Sequence, residues 1–235
     1  EKSWARLRQQ RDGFAGNAAA SARRAAGEFL IEGRARFIEP NVLEVETATG
    51  RQLVRANAVV IATGSRPALP GWLAPVAERT ITTDQLFELQ NLPRSVGILG
   101  LGTIGLEMGL ALARLGAHVT AADIAPTVAG ITDPVLAERA IAQFGQEMTL
   151  WLAASTSVSP TESGVLLRAG EREAEVDLLL AALGRRPNVE GLNLAAAGFA
   201  VDQRGLPLFD PETLQVGDWP VFIAGDANAH RPLMH

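Results

Sequence analysis

The chain has 235 residues, 47% of them hydrophobic and 20% charged, so it can bury a core in one or two domains and is not expected to be disordered. A net charge of −5 without a basic block argues against nucleic acid as a partner, and the absence of cysteine excludes disulfides, thiol nucleophiles and thiolate metal sites from this chain. No apolar run approaches the ~20 residues that cross a bilayer, and no signal peptide is visible. We therefore expect a cytoplasmic protein.

The first part of the chain predicts a helix followed by a small β-meander. Residues 1–26 carry Trp4, Leu7 and Phe14 near one helical face. Short strands are predicted over residues 29–38, 42–47 and 52–55, with a turn at Thr49-Gly50 joining the last two into a hairpin.

The next predicted element is a buried strand over residues 58–62, which exits through Thr63-Gly64-Ser65-Arg66-Pro67. Small residues after such a strand place backbone amides and hydroxyls at the carboxyl edge of a sheet, where open α/β sheets bind ligands. Pro67, Pro70 and Gly71 indicate a connector. Thr82 and Gln85 have the spacing of a capping box and predict a short helix there.

Residues 95–123 have the order of a dinucleotide-binding βαβ unit. An apolar strand at 96–99 is followed at once by a Gly100-x-Gly102-x-x-Gly105 loop, a helix to about Leu115 and a second strand ending on Asp123. We expect Gly100 to allow a tight turn, Gly102 to let the backbone approach a pyrophosphate, and Gly105 to let helix and strand pack closely. Asp123 lies 23 residues after Gly100, where a carboxylate can hold the ribose hydroxyls of NAD.

The remaining residues predict one more helix and two further buried strands with small residues at their exits. Asp133-Pro134 has the form of an N-cap followed by proline at the first helical position. A meander is predicted over residues 149–168. Buried strands follow over residues 176–183 and 221–224, with exits at Gly184-Arg185-Arg186-Pro187-Asn188 and Gly225-Asp226.

Four motifs occur in order along the chain: Ala62-Thr63-Gly64-Ser65-Arg66-Pro67, Gly100-x-Gly102-x-x-Gly105-x-Glu107, Gly184-Arg185-Arg186-Pro187-Asn188 and Ala224-Gly225-Asp226. Together they resemble the pyridine nucleotide–disulfide oxidoreductase family, and within it the dihydrolipoamide dehydrogenase type. The resemblance implies an α/β fold, in which a Rossmann-like NAD(P)-binding domain is inserted into a partial FAD-binding domain to give the FAD/NAD(P)-binding three-layer fold. Residues 1–71 would belong to the FAD domain, 72–184 to the NAD domain, and 185–235 to the return segment of the FAD domain.

The cofactor-binding residues predicted from the loop pattern and the resemblance fall into two groups. For NAD they are Gly100, Gly102, Thr103, Ile104, Gly105, Glu107, Asp123, Val158 and Gly184. For FAD they are Thr63, Gly64, Ser65, Asp226, Pro232 and His235, with Thr63 to Ser65 expected where the two domains meet. Glu107 would stabilise the first turns of its helix whatever the ligand. For Arg185 and Arg186 two interpretations stay open: they are ordinary surface charges, or they belong to the cofactor site.

The chain also departs from the family pattern. It has one Gly-x-Gly-x-x-Gly loop rather than two, it has no redox cysteine pair, and the His-Glu pair that the family contributes from its partner subunit is absent. Thr103 stands where several relatives carry an aromatic gate over the flavin. We therefore expect a central piece of a longer enzyme, which has no catalytic residue and no metal site of its own and holds FAD poorly.

The parent enzyme is expected to transfer electrons between a dithiol or disulfide, FAD and NAD(H), and to form a homodimer. A soluble transhydrogenase or an NADH oxidase-like flavoprotein is the alternative within the family. A nucleotide-sensing or interaction module without catalysis is the alternative from another class. The sequence leaves the disulfide substrate open.

Overall fold

The computed structural model describes residues 2–229, and its α-helices lie largely where the sequence predicts them, whereas its 3-10 segments were not predicted. The α-helices are α1 (Lys2–Ala26), α2 (Thr83–Leu86), α3 (Thr103–Arg114) and α4 (Pro134–Phe144). The 3-10 segments are Gly27–Phe29, Gly71–Arg79, Glu190–Leu192 and Gly225–Asn228. No helix within residues 2–229 is long and apolar enough to cross a membrane.

The strands are short, with two to six residues each. They are β1 (Arg34–Glu39), β2 (Val42–Thr47), β3 (Gly50–Arg55), β4 (Val59–Ile61), β5 (Ser65–Pro67), β6 (Thr80–Ile81), β7 (Ser95–Leu99), β8 (His118–Ala122), β9 (Thr149–Trp151), β10 (Thr156–Pro160), β11 (Val165–Ala169), β12 (Arg172–Val176), β13 (Leu178–Ala181), β14 (Arg185–Pro187) and β15 (Val221–Ile223).

The chain divides into two compact units. The first unit contains the residues up to Gly16 and Pro67–Gly184, and the second contains Asn17–Arg66 and the described residues from Arg185 onward. Each unit is discontinuous in sequence.

The first unit is a three-layer α/β structure around a five-stranded parallel sheet in the order β6-β13-β7-β8-β9. The central strands β7 and β13 carry continuous apolar runs because both faces of the sheet are covered there. Ile98 points into a cluster formed with the helices, whereas Leu99 points into a cluster formed with the antiparallel sheet β10-β11-β12. Both side chains are fully buried. The α/β class and the parallel sheet predicted from the sequence are confirmed.

The start of α1 belongs to the core of the first unit. Trp4 is 3% exposed, its ring stacks on Phe87 with centroids 5.8 Å apart, and its indole N–H donates to the carbonyl oxygen of Leu89 at 2.8 Å. Phe14, which the sequence placed on the same face, is 79% exposed. The predicted apolar face of this helix is therefore buried only at its N-terminal end.

The second unit contains three separate small sheets. β1, β2 and β3 form an antiparallel sheet with the predicted hairpin between β2 and β3, β4 pairs in parallel with β15, and β5 pairs with β14. Phe37 packs edge-on against Phe199 at the centre of its core, with centroids 5.1 Å apart. The strand predicted from Phe29 begins only at Arg34, because residues 27–29 form a 3-10 turn in which Phe29 is 85% exposed.

Candidate functional site

Two glycines, one in the loop between β7 and α3 and one in the first turn of α3, are required by close backbone approach. Gly100 has φ +90°, and a Cβ there would collide with the carbonyl oxygen of Ala182, the residue after β13. A Cβ on Gly105 would overlap the carbonyl oxygen of Gly100. The chain's own packing therefore accounts for these two glycines, as the tight turn and the close helix–strand contact predicted from the sequence require.

Gly102 differs because the space beside it is open. It is the N-cap of α3 with an ordinary negative φ, and apart from its two chain neighbours no residue has a heavy atom within 4 Å of where a Cβ would stand. The first backbone bond of the helix runs from Leu106 to the oxygen of Gly102 at 3.0 Å, which leaves the amides of Thr103, Ile104 and Gly105 at the open helix end. Such a cradle of amides with room beside it fits a phosphate group.

Asp123 is fastened to the same loop. Its Oδ2 accepts from the backbone N–H of Leu101 at 2.5 Å, and its Oδ1 accepts from the N–H of Ala125 at 2.8 Å. These bonds hold the carboxylate beside the glycine loop. A carboxylate has about four acceptor positions, so two remain for hydroxyl donors.

The other predicted residues of this unit lie on or beside three different elements. Gly184 follows β13 on the same edge of the sheet, where the amide of Ala182 donates to the oxygen of Leu99 at 2.8 Å. Glu107 is exposed on α3. Val158 lies in β10 and packs against the core of the antiparallel sheet.

In the second unit, three side chains from distant parts of the sequence form a hydrogen-bonded chain. Arg185 Nε donates to Ser65 Oγ at 2.7 Å, and Ser65 Oγ donates to Asp226 Oδ2 at 2.8 Å. Arg185 also donates to the backbone oxygen of Ser65 at 2.8 Å, and its Nε lies 3.8 Å from Asp226 Oδ2. The arginine and aspartate side chains are only 13% and 14% exposed, which strengthens the attraction between their charges.

The backbone around Thr63 and Gly64 is fixed by Asn188, the last residue of the Gly-Arg-Arg-Pro-Asn motif. Its backbone N–H donates to the carbonyl oxygen of Gly64 at 2.9 Å, and its side-chain amide nitrogen donates to the carbonyl oxygen of Thr63 at 3.0 Å. The structure thus brings the Thr63–Ser65 exit together with Arg185 and Asp226. The predicted residues Pro232 and His235 lie outside the described residues.

A cavity of about 650 Å³ opens beside Thr63 and was not anticipated from the sequence. Its other walls include Gly33, Arg34, Ala35 and Asn188. The volume lies within the range of cofactor pockets, about 300–1,000 Å³. The only sequence signal for this wall is Gly33 just before β1, where a Cβ would collide with the oxygen of Glu46.

Ionic chemistry at the second unit is dominated by arginine–carboxylate pairs. Arg66 donates to both carboxylate oxygens of Glu190, at 2.5 and 3.0 Å, and this lowers the pKa of Glu190 from 4.5 to about 2. Within residues 2–229, no group of three or more His, Asp or Glu side chains could hold a metal ion. The amides, hydroxyls and charged side chains brought together here are the kinds of group that form hydrogen bonds with polar ligands.

Comparison with known proteins agrees with these features. Residues 11–235 match the model of the family described as pyridine nucleotide-disulphide oxidoreductase. A dihydrolipoyl dehydrogenase from Cupriavidus necator is 29% identical over 86% of this chain and 45% of its own length. A soluble pyridine nucleotide transhydrogenase from Mycobacterium tuberculosis is also 29% identical, over 84% of this chain and 43% of its length. The chain thus spans less than half the length of these relatives.

Among solved structures, LpdA from Mycobacterium tuberculosis superposes with a TM-score of 0.81 at 27% sequence identity. The match covers 98% of this chain and 53% of LpdA. The order of the helices and strands is therefore shared with a protein about twice as long.

Proposed function

The chain belongs to the pyridine nucleotide-disulphide oxidoreductase family, and from that premise we propose that its first unit binds NAD(H) at the loop between β7 and α3. The observation that carries the proposal is the open space at Gly102 beside three helix-end amides. The amides of Thr103, Ile104 and Gly105 would hold the pyrophosphate, helped by the dipole of α3.

Asp123 would hold the adenine-side ribose through its remaining acceptor positions. The hydrogen bonds from the backbone of Leu101 and Ala125 already fix its carboxylate, so the side chain loses little conformational freedom when the ligand binds. No arginine follows it in Ile124-Ala125-Pro126 to pair with a 2′-phosphate, and the carboxylate would repel that phosphate. NADH should therefore be preferred to NADPH. Glu107, Val158 and Gly184 are proposed to contribute farther along the dinucleotide.

Calorimetric titration of the chain with the two nucleotides tests this proposal. NADH should bind at least about tenfold more tightly than NADPH, because the Asp123 carboxylate and the 2′-phosphate of NADPH are like charges that repel at close range. The Asp123→Asn variant should narrow that ratio because the charge is gone. Equal or tighter binding of NADPH to the unmodified chain would contradict the proposal.

We further propose that the second unit contributes one side of an FAD site. Asp226 and Ser65 are fixed in position by Arg185, and Thr63 lines a cavity large enough for part of a dinucleotide. These residues would accept and donate hydrogen bonds to the ribityl and phosphate groups, with Gly64 leaving space beside them. Pro232 and His235 are proposed for the flavin edge on the family likeness alone. A bound flavin would supply two-electron chemistry with the nicotinamide.

For the whole protein we propose an FAD-dependent, NAD-linked oxidoreductase of the dihydrolipoamide dehydrogenase type, acting on a dithiol or disulfide as a homodimer. The equal identity to a transhydrogenase supports that activity as the second candidate. The 235 residues contain no cysteine, so they cannot supply a thiolate nucleophile. We expect the isolated chain to be colourless and to give only background in a lipoamide assay, and stoichiometric flavin in the purified chain would contradict this.

A further inference from the structure

A second, smaller cavity in the second unit is lined mainly by charged side chains. It measures about 210 Å³ and lies between β14, the Glu190–Leu192 turn and the loop at residues 202–206. Three arginines and two carboxylates line it: Arg185, Arg186, Arg204, Glu190 and Asp202. Pockets for drug-sized ligands measure about 300–1,000 Å³, so this cavity suits a much smaller group.

Both carboxylates of the cavity already have donors. Glu190 is held by both terminal nitrogens of Arg66, whose charge offsets its own, and its pKa of about 2 keeps it ionised in that pair. Asp202 Oδ1 accepts from the backbone amides of Arg204 and Leu206, at 2.8 and 2.9 Å. In the described part of the chain neither carboxylate lies within ion-pair distance of Arg186 or Arg204, although the charge of Arg186 makes a small contribution to the lowered pKa of Glu190.

The two guanidinium groups that remain are those of Arg186 and Arg204. Within residues 2–229, neither donates a side-chain hydrogen bond or forms a salt bridge. Both residues are exposed, so solvent can reach them. Guanidinium groups bind phosphate oxygens in a fixed, paired geometry, and the two converge on one small cavity.

We infer that this cavity is a binding site for a small phosphate or phosphate monoester, held by Arg186 and Arg204. Arg185 adds a third positive charge at the wall, although Ser65 already accepts hydrogen bonds from it. Glu190 and Asp202 limit the net positive charge, which favours a compact dianion over a polyanion such as nucleic acid. The inference does not depend on the proposed dinucleotide function.

The test is a calorimetric titration of the full chain with inorganic phosphate at constant ionic strength, with chloride as the reference anion. Saturable one-to-one binding of phosphate is expected. Arg186→Gln and Arg204→Gln should each weaken it about tenfold, as expected for the loss of one charge-assisted contact. Arg55→Gln is the matched control, because Arg55 is an exposed arginine of the same unit on β3, outside the cavity, and it should leave affinity within twofold.

Two further measurements identify the source of the phosphate group and allow for a variant that does not fold. Titration with glycerol phosphate is compared with the titration with inorganic phosphate. The tighter binder shows whether the site prefers a phosphate monoester or the free ion. Arg186→Lys keeps the positive charge but loses the paired geometry of the guanidinium group, so its phosphate affinity should be intermediate. This variant still tests the site if Arg204→Gln does not fold. Three results would overturn the inference: no saturable phosphate binding, an equal loss in Arg55→Gln, or displacement of phosphate by FAD.

Discussion

The two units hold their candidate sites by different means. In the first unit, β7 is an interior strand of a five-stranded sheet, and backbone groups of the glycine loop form the site. In the second unit, β4 pairs with β15 alone among the described strands, Val60 is 61% exposed, and the side chains of Arg185, Ser65 and Asp226 form the site. Changes in backbone shape should therefore affect the first site most, and changes in charge or hydrogen bonding the second.

The largest expected effect comes from adding a side chain at Gly105. The Cβ of Gly105→Ala would overlap the backbone oxygen of Gly100, and neither helix nor strand can move without disturbing the covered sheet. We expect a loss of about 4 kcal/mol or more in the free energy of unfolding, at the extreme of single substitutions. Urea denaturation followed by circular dichroism measures it, and a loss below about 1 kcal/mol would contradict the rigid-backbone account.

Trp4→Ala should be next, because it removes the side chain that anchors α1 to the first unit. A buried tryptophan costs about 3–5 kcal/mol when truncated, and its stacking on Phe87 and its bond to Leu89 are lost with it. The matched control is Phe14→Ala on the same helix, where an exposed ring should change stability by less than about 0.5 kcal/mol. Similar losses in both variants would show that the second half of the helix is also packed.

Gly102→Ala separates binding from stability within the glycine loop. Its Cβ meets no atom of the chain, so the free energy of unfolding should fall by less than about 1 kcal/mol, in line with an altered N-cap. The same methyl group would stand where the pyrophosphate is proposed to lie, and we expect NADH affinity to fall about tenfold or more. Calorimetry decides, and unchanged affinity would remove the dinucleotide from this loop.

In the second unit, Ser65→Ala removes the hydroxyl that joins Arg185 to Asp226. Two hydrogen bonds to charged groups disappear while the charges themselves remain and can approach each other directly. The expected loss is about 1–3 kcal/mol, because charged partners are left with fewer bonds in a largely buried site. Ser163→Ala, an exposed serine that donates to Glu175, is the control. Equal effects in the two variants would contradict a special role for the buried network.

The sequence predicts best where the local pattern alone determines the structure. β7, the loop and α3 lie close to their predicted positions, because an apolar run, a glycine spacing and a helix all coincide there. Phe14 and Phe29 have the right periodicity, yet both are largely exposed among residues 2–229, because periodicity alone does not show whether another element covers a face. The contact of Arg185 with Ser65 spans 120 residues, so no local pattern could predict it.

The smallest expected effect is the pH dependence contributed by Glu190 in the second unit. Its pKa in the folded chain is about 2, below the ordinary value of 4.5, because Arg66 and to a lesser degree the backbone stabilise the carboxylate. A lowered folded pKa means that the stabilisation is fully present above about pH 4.5 and is lost as the pH falls towards 2. The side chains of Arg66 and Glu190 are about half exposed, at 44% and 51%, so solvent screening should limit the contribution to less than about 1 kcal/mol.

Other carboxylates also titrate in this range, so the measurement is a double-mutant cycle of Arg66→Gln and Glu190→Gln at pH 7 and at pH 3. The coupling energy should be measurable at pH 7 and smaller at pH 3, whereas equal coupling at both values would show that the pair does not lower the pKa of Glu190.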